Sequence, residues 1–231
     1  MLFTIKWYYI YNEGKGEKIM GKLDFIYKRQ SIRKYKNIRV PREDIMELIK
    51  AATYAPSPKH QQNWHFVVIE NRDLINEMAD IVSRSHDRLA EMAKNESDRE
   101  LYLKLKKYYI LFKDAPALII VYGKPYDMIE YKILKEGGAD EETLKDILAP
   151  QSDAQAIGAA VENFLLGAAA MGYGTCYMTG PTHAKREIEE LVGFNKEGYS
   201  LMAMITLGIP DDKVPQQPAR KPLEEVVTII E

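Results

Sequence analysis

One apolar stretch, residues 152–170, constrains the fold more than any other segment. The apolar residues that recur there at helical spacing are Ile157, Ala160, Val161, Phe164, Leu165 and Ala168. The positions between them are mostly small, namely Gly158, Ala159, Gly167, Ala169 and Ala170. Ser152 and Gln155 have capping-box spacing and Gly172 follows the run, so a helix is predicted to begin at Ser152 and to end before Gly172. Small side chains permit close packing, which predicts a helix buried on more than one side.

Short apolar runs alternate with helical patterns along the rest of the chain. Buried strands are predicted at residues 66–69, 117–122, 175–178 and 201–207. Helices are predicted from Pro41 to before Pro56, within 72–114 and around Ile188, and residues 123–150 have moderate helical character. This alternation favours an α/β (α+β) fold in which helices cover both faces of one central sheet, giving three layers.

The final residues, 209–231, form a separate arm. Pro210, Pro215, Pro218 and Pro222 exclude a helix, whereas residues 226–230 have the composition of a strand. An apolar strand at the end of such an arm is poorly suited to solvent. We therefore expect it to pair with a sheet, either in its own subunit or in a neighbouring one.

Length and charge narrow the class of protein. With 231 residues and 46% apolar content, the chain can bury one sizeable core. Its 32 basic residues are balanced by 34 acidic ones, so no net positive field favours nucleic acid or an anionic membrane. The single cysteine, Cys176, excludes an internal disulfide and fits a reducing cytoplasm.

Residues 1–19 need a different explanation. They begin with an aromatic, apolar stretch that lacks a signal-peptide cleavage site, and Glu-Gly-Lys-Gly-Glu-Lys follows at 13–18. Codons for such a run are purine-rich and can form a ribosome-binding site just upstream of Met20. Met20 is therefore a candidate natural start, with 1–19 as a non-native extension and 20–231 as one domain; a natural start at Met1 is the alternative.

A local cluster of positive charge suggests an anion site. Arg29 and Arg33 flank Ser31, and further basic residues surround them, namely Lys28, Lys34, Lys36, Arg39 and Arg42. Forked arginine donors and a short hydroxyl can satisfy the oxygens of a phosphate. The alternative is a solvated basic face. Ser31 between the arginines, and a second basic pair at Arg220-Lys221, favour the phosphate site.

Three other kinds of site are disfavoured. Gly172-Tyr173-Gly174 closes a helix and opens a strand, which is the reverse of the order in a dinucleotide-binding loop. The four histidines show no metal-ligand spacing. Cys176 with His183 remains a conceivable nucleophile pair, although a lone cysteine in an apolar strand is usually an inert core residue.

Five motifs in a fixed order resemble the nitroreductase superfamily of flavoenzymes. They are Arg-Gln-Ser-Ile-Arg at 29–33, Ala-Pro-Ser at 55–57 with Trp64 beyond, Glu-Asn-Phe-Leu-Leu at 162–166, Gly-Tyr-Gly-Thr at 172–175, and Arg-Lys-Pro-Leu-Glu-Glu-Val at 220–226. The resemblance spans about residues 24–227. It implies a three-layer sandwich with a central mixed sheet, an intertwined homodimer, and a variable helical excursion at about 84–150.

The resemblance also implies which residues hold flavin mononucleotide (FMN). Residues matching the phosphate and ribityl segment are Arg29, Gln30, Ser31 and Arg33, with Arg220 as a second phosphate-binding arginine. Residues matching the segment that reaches the flavin from the partner subunit are Pro56, Ser57, Pro58 and His60. His60 stands where the family usually has Asn, and Asn63 replaces a proline. Residues matching the segment along the isoalloxazine ring are Tyr177, Met178, Thr179 and Gly180, where an amide of Thr179 or Gly180 would donate to flavin N5.

The implied reaction passes hydride from NADH or NADPH to the flavin, and then electrons to an electron-poor acceptor, in two steps at one site. It requires no catalytic side chain, since the cofactor carries the chemistry. Aromatic residues expected to meet a planar acceptor are Tyr102, Tyr108, Tyr109, Phe112 and Tyr126. The alternatives are a deazaflavin-using or reductive-dehalogenase member of the superfamily, and a non-catalytic flavin-binding or sensing module.

Overall fold

The fold is built on one four-stranded sheet in a computed structural model that describes residues 23–212 and 216–230. The strands are β1 (Trp64–Ile69), β2 (Ala117–Gly123), β3 (Gly174–Met178) and β4 (Ser200–Gly208). Their order is β1-β2-β4-β3, and every neighbouring pair is antiparallel. The parallel pairing expected of a mixed sheet is limited, among these residues, to a bridge between Ser31 and Thr175.

The central strand β2 explains the layered arrangement. Its successive side chains point to opposite faces of the sheet, so Ile119 and Val121 enter one core while Leu118 and Ile120 enter the other. All of its residues are buried. A strand that is apolar on both faces requires a cover on each side, which confirms the predicted three layers.

Eight α-helices surround the sheet in the described chain. Their bounds are α1 Asp24–Lys28, α2 Arg42–Thr53, α3 Arg72–Ala90, α4 Glu96–Tyr109, α5 Ile129–Glu136, α6 Glu141–Leu148, α7 Ser152–Ala170 and α8 Lys185–Val192. Helices α2 and α7 contribute to the core on one face of the sheet, and α3 and α8 contribute to the core on the other. None of the helices in the described ranges is long and apolar enough to cross a membrane.

Helix α7 has the predicted length but not the predicted cap. Its N-cap is Gln151, in the left-handed conformation with φ 47°, and Ser152 is the first helical residue. The expected capping box is therefore wrong. The Gln155 amide instead donates to the Pro150 carbonyl at 2.6 Å. The C-terminal prediction holds, since Met171 is the C-cap and Gly172 follows with φ 83°.

The described part of the C-terminal arm does not form the predicted strand within its own subunit, and pairing with a neighbouring subunit stays a prediction. Residues 226–230 form no strand, and only a short 3₁₀ turn at Leu223–Glu225 precedes them. A strand requires a hydrogen-bonded neighbour, and residues 216–230 do not pair with either edge of the sheet. Its exposed apolar side chains are Leu223, Val226, Val227, Ile229 and Ile230. The hypothesis about residues 1–19 lies outside the described residues.

Candidate active site

The segment from Arg29 to Arg33 lies along strand β3. Arg29 caps the C-terminus of α1, and the chain then runs extended, with the Ile32 amide donating to the Thr175 carbonyl at 2.8 Å. The hydroxyl of Tyr35 contacts the Ile32 carbonyl and lies 2.6 Å from Thr206 Oγ1. The basic segment is therefore fixed to β3 directly and to β4 through Tyr35, which orients its arginines.

Gly174 permits this close approach. A Cβ placed on Gly174 would lie 2.7–2.8 Å from three side-chain atoms of Ile32. We expect Gly174→Ala to lower the free energy of unfolding by about 1–3 kcal/mol, because a buried methyl group would force Ile32 away from β3. Chemical denaturation measures this change.

The same experiment has an internal control. Ile32→Ala removes two of the three contacted atoms, so the cost of the double variant should fall short of the sum of the single costs by more than about 0.5 kcal/mol. Strict additivity of the two costs would contradict the proposed contact.

A cleft of about 270 Å³ opens beside the end of β3. Arg33 lines it together with the predicted ring-facing segment from Tyr177 to Gly180, while Tyr108 and Tyr109 form another wall. Tyr177 is partly exposed, whereas Met178 is buried. The Thr179 carbonyl accepts hydrogen bonds from the amide and hydroxyl of Thr182, which fixes the turn after the strand. The structure thus joins Arg33 to the predicted isoalloxazine segment.

Cys176 lies in the wall of this cleft and is not arranged as a nucleophile. Burial raises the pKa of its thiol, although the charge of Arg33 and hydrogen bonding to Ser31 act in the opposite direction. His183, its conceivable base, instead places Nδ1 3.0 Å from the hydroxyl of Ser85. A buried thiol with a raised pKa is a poor nucleophile, so the cysteine–histidine alternative has no support in this geometry.

Arg29 faces a second, smaller groove. It lines a cavity of about 160 Å³ with Gln30, Tyr173 and Pro210, and its Nε atom lies 3.6 Å from Glu162 Oε1. The two arginines of the motif therefore serve different grooves, a separation that spacing in the sequence did not reveal. The ion pair between Arg29 and Glu162 was not predicted from the sequence. The signal that could have indicated it is the carboxylate of Glu162 within a helix of small apolar residues.

The segment from Pro56 to His60 forms a strained loop elsewhere on the chain. Lys59 and His60 adopt positive φ of 45° and 55°, and Gln62 follows with 48°. Such conformations persist in non-glycine residues only where surrounding contacts enforce them. Here the amide of Gln62 donates to the Ser57 hydroxyl at 3.0 Å, and the Nε2 atoms of Gln62 and His60 lie 3.1 Å apart.

The loop is also held from outside. Lys59 forms an ion pair with Glu130 at 2.6 Å, and the Gln61 side chain makes two hydrogen bonds to the backbone of Asp127, each 3.0 Å. Within residues 23–212 and 216–230, no hydrogen bond or ion pair connects it to the segment from Arg29 to Arg33. Its assignment to a flavin site of the partner subunit therefore stays a prediction.

Arg220 is a further predicted site residue that lies apart from both grooves. Its guanidinium donates to the Pro218 carbonyl at 2.7 Å and lines neither groove described above. The arm that carries it is nevertheless anchored close to Arg29, because the Gln217 amide donates to the carbonyls of Tyr27 and Arg29 at 2.6 and 3.2 Å. No group of three or more potential metal ligands occurs among the residues that the structure describes.

The sequence matches the family model of nitroreductases over residues 26–209. The chain belongs to the nitroreductase family. A BluB-like flavoprotein from Clostridium difficile 630 has a similar structure, with a TM-score of 0.86 and 40% identity over 92% of this chain and 100% of that one. A protein of Archaeoglobus fulgidus provisionally named NADH dehydrogenase/NAD(P)H nitroreductase is 28% identical over 83% of this chain and 86% of its own length.

A further nitroreductase-fold structure is that of an iodotyrosine deiodinase bound to FMN and 3-iodo-L-tyrosine. Its TM-score is 0.62, with 25% identity over 86% of this chain and 94% of that one. These similarities agree with the α/β fold class predicted from the sequence. The family match at residues 26–209 includes the loop and every residue that lines the two grooves except Pro210.

Proposed function

We propose that this nitroreductase-family protein binds FMN and transfers electrons from NADH or NADPH to an electron-poor acceptor. The observation that carries the proposal is the cleft in which Arg33 meets the turn at Thr179–Gly180. The structure of an iodotyrosine deiodinase that this chain resembles contains bound FMN, which supports the choice of cofactor.

The groups around the two grooves fit FMN chemically. A guanidinium suits the polar pyrimidine edge of a flavin or its phosphate, and tyrosine side chains suit its planar ring. Gly180 lacks a side chain at the place where the Tyr109 ring packs against it, so both residues can line the same cleft. Arg29 and Gln30, in the neighbouring groove, would hold the phosphate end.

The bound flavin would supply reversible two-electron chemistry at N5. The chain's own part is to hold it and to exclude competing water. Arg33 supplies fixed positive charge, while the backbone amide of Thr179 or Gly180 would donate a hydrogen bond to N5. No described side chain needs to act as an acid or a base.

The acceptor would be a planar, electron-poor molecule lying against Tyr108 and Tyr109, which line the cleft. The other three aromatic residues expected there are elsewhere. Phe112 is fully buried in the core, Tyr102 stacks on His86, and Tyr126 lies beside Lys59. We therefore propose the last turn of α4 as the acceptor surface.

Steady-state kinetics tests the two-step exchange. With NADH and menadione both varied, double-reciprocal plots should give parallel lines, because donor and acceptor would occupy one cleft in turn. Intersecting lines would indicate a ternary complex and would refute the mechanism. A bound flavin that stays oxidised under anaerobic NADH and NADPH would instead favour a flavin-binding module without reductase activity.

Reductive dehalogenation is a second candidate, favoured by the similarity to the iodotyrosine deiodinase. Both reactions would use the same flavin site. Iodide release from 3-iodo-L-tyrosine by the dithionite-reduced protein distinguishes them, since a reductase restricted to quinones and nitroaromatics would release none.

We also propose a homodimer in which each site uses both subunits. The exposed apolar residues of the arm favour this arrangement. The contacts of the Pro56–His60 loop favour it too, because they join the loop to Glu130 and Asp127 and not to the arginine segment of the same chain. A partner could supply the cover that the arm lacks and bring the loop to the opposite flavin.

A further inference from the structure

A partly buried polar cluster lies behind the Tyr109 wall of the cleft. It combines His86 and Ser85 of α3, Tyr102 and Tyr109 of α4, and His183 of the 3₁₀ turn Gly180–Ala184. The rings of His86 and His183 lie 5.8 Å apart between centroids. Three separate elements thus meet in one set of aromatic and imidazole side chains.

His86 is held in one orientation. It is fully buried, and its Nε2 atom lies 2.8 Å from the carbonyl of Tyr102. Because a carbonyl only accepts, Nε2 carries the proton and donates. The ring also stacks on that of Tyr102 at 4.4 Å. Its Nδ1 atom is buried and has no partner within the described chain.

His183 is held from the other side. Its Nδ1 atom lies 3.0 Å from the Ser85 hydroxyl, and its Nε2 atom is buried without a partner among the described residues. Burial lowers the pKa of His183, and the neighbouring His86 lowers it further. The charged groups that act on it, Arg88 of α3 and Glu187 of α8, form an ion pair with each other.

Tyr109 stands between the two histidines and the cleft. Its ring centroid lies 4.8 Å from that of His86 and 5.5 Å from that of His183. On its other side the ring contacts Gly180, where an added Cβ would lie 2.9 Å from Cδ1 and Cε1. The position of this ring therefore sets the distance between the cleft wall and the Thr179–Gly180 turn.

We propose that Tyr109 determines which acceptors enter the cleft, and that His86 and His183 are positioning residues that hold its ring against Gly180. The proposal rests on the proposed function for the identity of the ligand. Two unpartnered imidazole nitrogens in a core are costly, and leucine or phenylalanine would fill the same space without that cost. The two histidines contact the Tyr109 ring and fix its orientation.

Size selection tests the role of Tyr109. Tyr109→Leu should raise the ratio of kcat/KM for menadione to that for p-benzoquinone about tenfold, because a smaller side chain widens the cleft for the bicyclic quinone. Tyr109→Phe keeps the ring and should leave the ratio unchanged. An unchanged ratio in Tyr109→Leu would overturn the proposal.

The histidines are tested through Tyr109. His86→Leu and His183→Leu should each raise the same ratio several-fold, by about three to ten times, since a displaced ring no longer closes the cleft. His86→Gln retains a hydrogen-bond donor for the Tyr102 carbonyl, and His183→Asn retains a hydrogen-bonding partner for the Ser85 hydroxyl. Both variants should therefore keep a ratio close to that of the wild type. His65→Gln is the matched control, because His65 stacks on Phe194 away from the cleft.

The decisive result is the double variant. In a Tyr109→Leu background, His86→Leu should change the ratio no further, because its effect passes through the tyrosine. An equal change in both backgrounds would mean that His86 acts independently of Tyr109, and a loss of thermal stability with no change in ratio would mean a purely structural role. Either result would refute the positioning role.

Failure of the proposed function would be distinguishable. If no donor reduces the protein, the same comparison is made by titrating the oxidised holoprotein with benzoate and 2-naphthoate and following flavin absorbance. Tyr109→Leu should then increase the relative affinity for 2-naphthoate about tenfold. If the protein is reduced but shows no size selection, only the proposed role of Tyr109 is refuted. If it shows size selection but is not reduced, only the proposed reductase activity is refuted.

Discussion

Replacing Arg33 with alanine is expected to weaken FMN binding about 100-fold, since charge-assisted hydrogen bonds contribute roughly 1.5–3 kcal/mol. Arg33 is the charged side chain that lines the cleft with the Tyr177–Gly180 segment. Titration of apoprotein with FMN, followed by flavin fluorescence, gives the dissociation constant.

Arg39→Ala is the matched control for this variant. Arg39 belongs to the same basic segment, but its guanidinium is exposed and forms an ion pair with Glu70 at 2.9 Å. Its loss should leave the affinity for FMN unchanged. Full FMN affinity in Arg33→Ala would contradict the assignment of the cleft.

Riboflavin separates the two arginines of the motif. It lacks the phosphate, so Arg29→Ala should weaken binding of FMN and have little effect on riboflavin, because Arg29 lines the neighbouring groove. Arg33→Ala should weaken the binding of both ligands. Equal effects of the two variants on riboflavin would show that the grooves do not divide the cofactor in this way.

Ending the chain after Ile209 is expected to abolish both the dimer and FMN binding. The removed arm carries the exposed Leu223, Val226 and Ile230, the last 92% exposed in the isolated chain, and such a surface is stable in water only when a partner covers it. Light scattering would then report a monomer, and the purified protein would be colourless.

A double substitution in the full-length chain tests the same interface without the risk that truncation misfolds the protein. Ile229→Asp with Ile230→Asp places two charges on the apolar arm while preserving the Gln217 contacts, and should shift the equilibrium towards monomer. Met92→Asp adds a charge at an equally exposed apolar position on another surface and should not. A truncated protein that is monomeric and still binds FMN would disprove the intertwined arrangement.

The helices and strands of the core followed closely from the sequence because their signals are local, whereas the strand predicted at 226–230 needs a partner that its own sheet does not supply. The periodicity of Ile157, Val161 and Phe164 predicted α7, and the uninterrupted apolar run at 117–122 predicted the central strand. The ordered motifs likewise predicted the family that the match over 26–209 establishes. The predicted N-cap of α7 was wrong because Gln151, in the left-handed conformation, is the N-cap and Ser152 is already the first helical residue.

Contacts between distant residues were decided by the tertiary structure alone. Nothing in the spacing of Arg29 and Arg33 revealed that they line different grooves, because that depends on how the extended segment lies against β3. Tyr109 and His183 are 74 positions apart, and their meeting behind Gly180 depends on how α3 and α4 pack against the turn after β3. The sequence by itself therefore determined the layers, the motifs and the class of cofactor to be expected, since each rests on residues close together in the chain. Which side chains share a cleft was determined only by packing, since side chains far apart in sequence become neighbours only when the sheet and its helices are assembled.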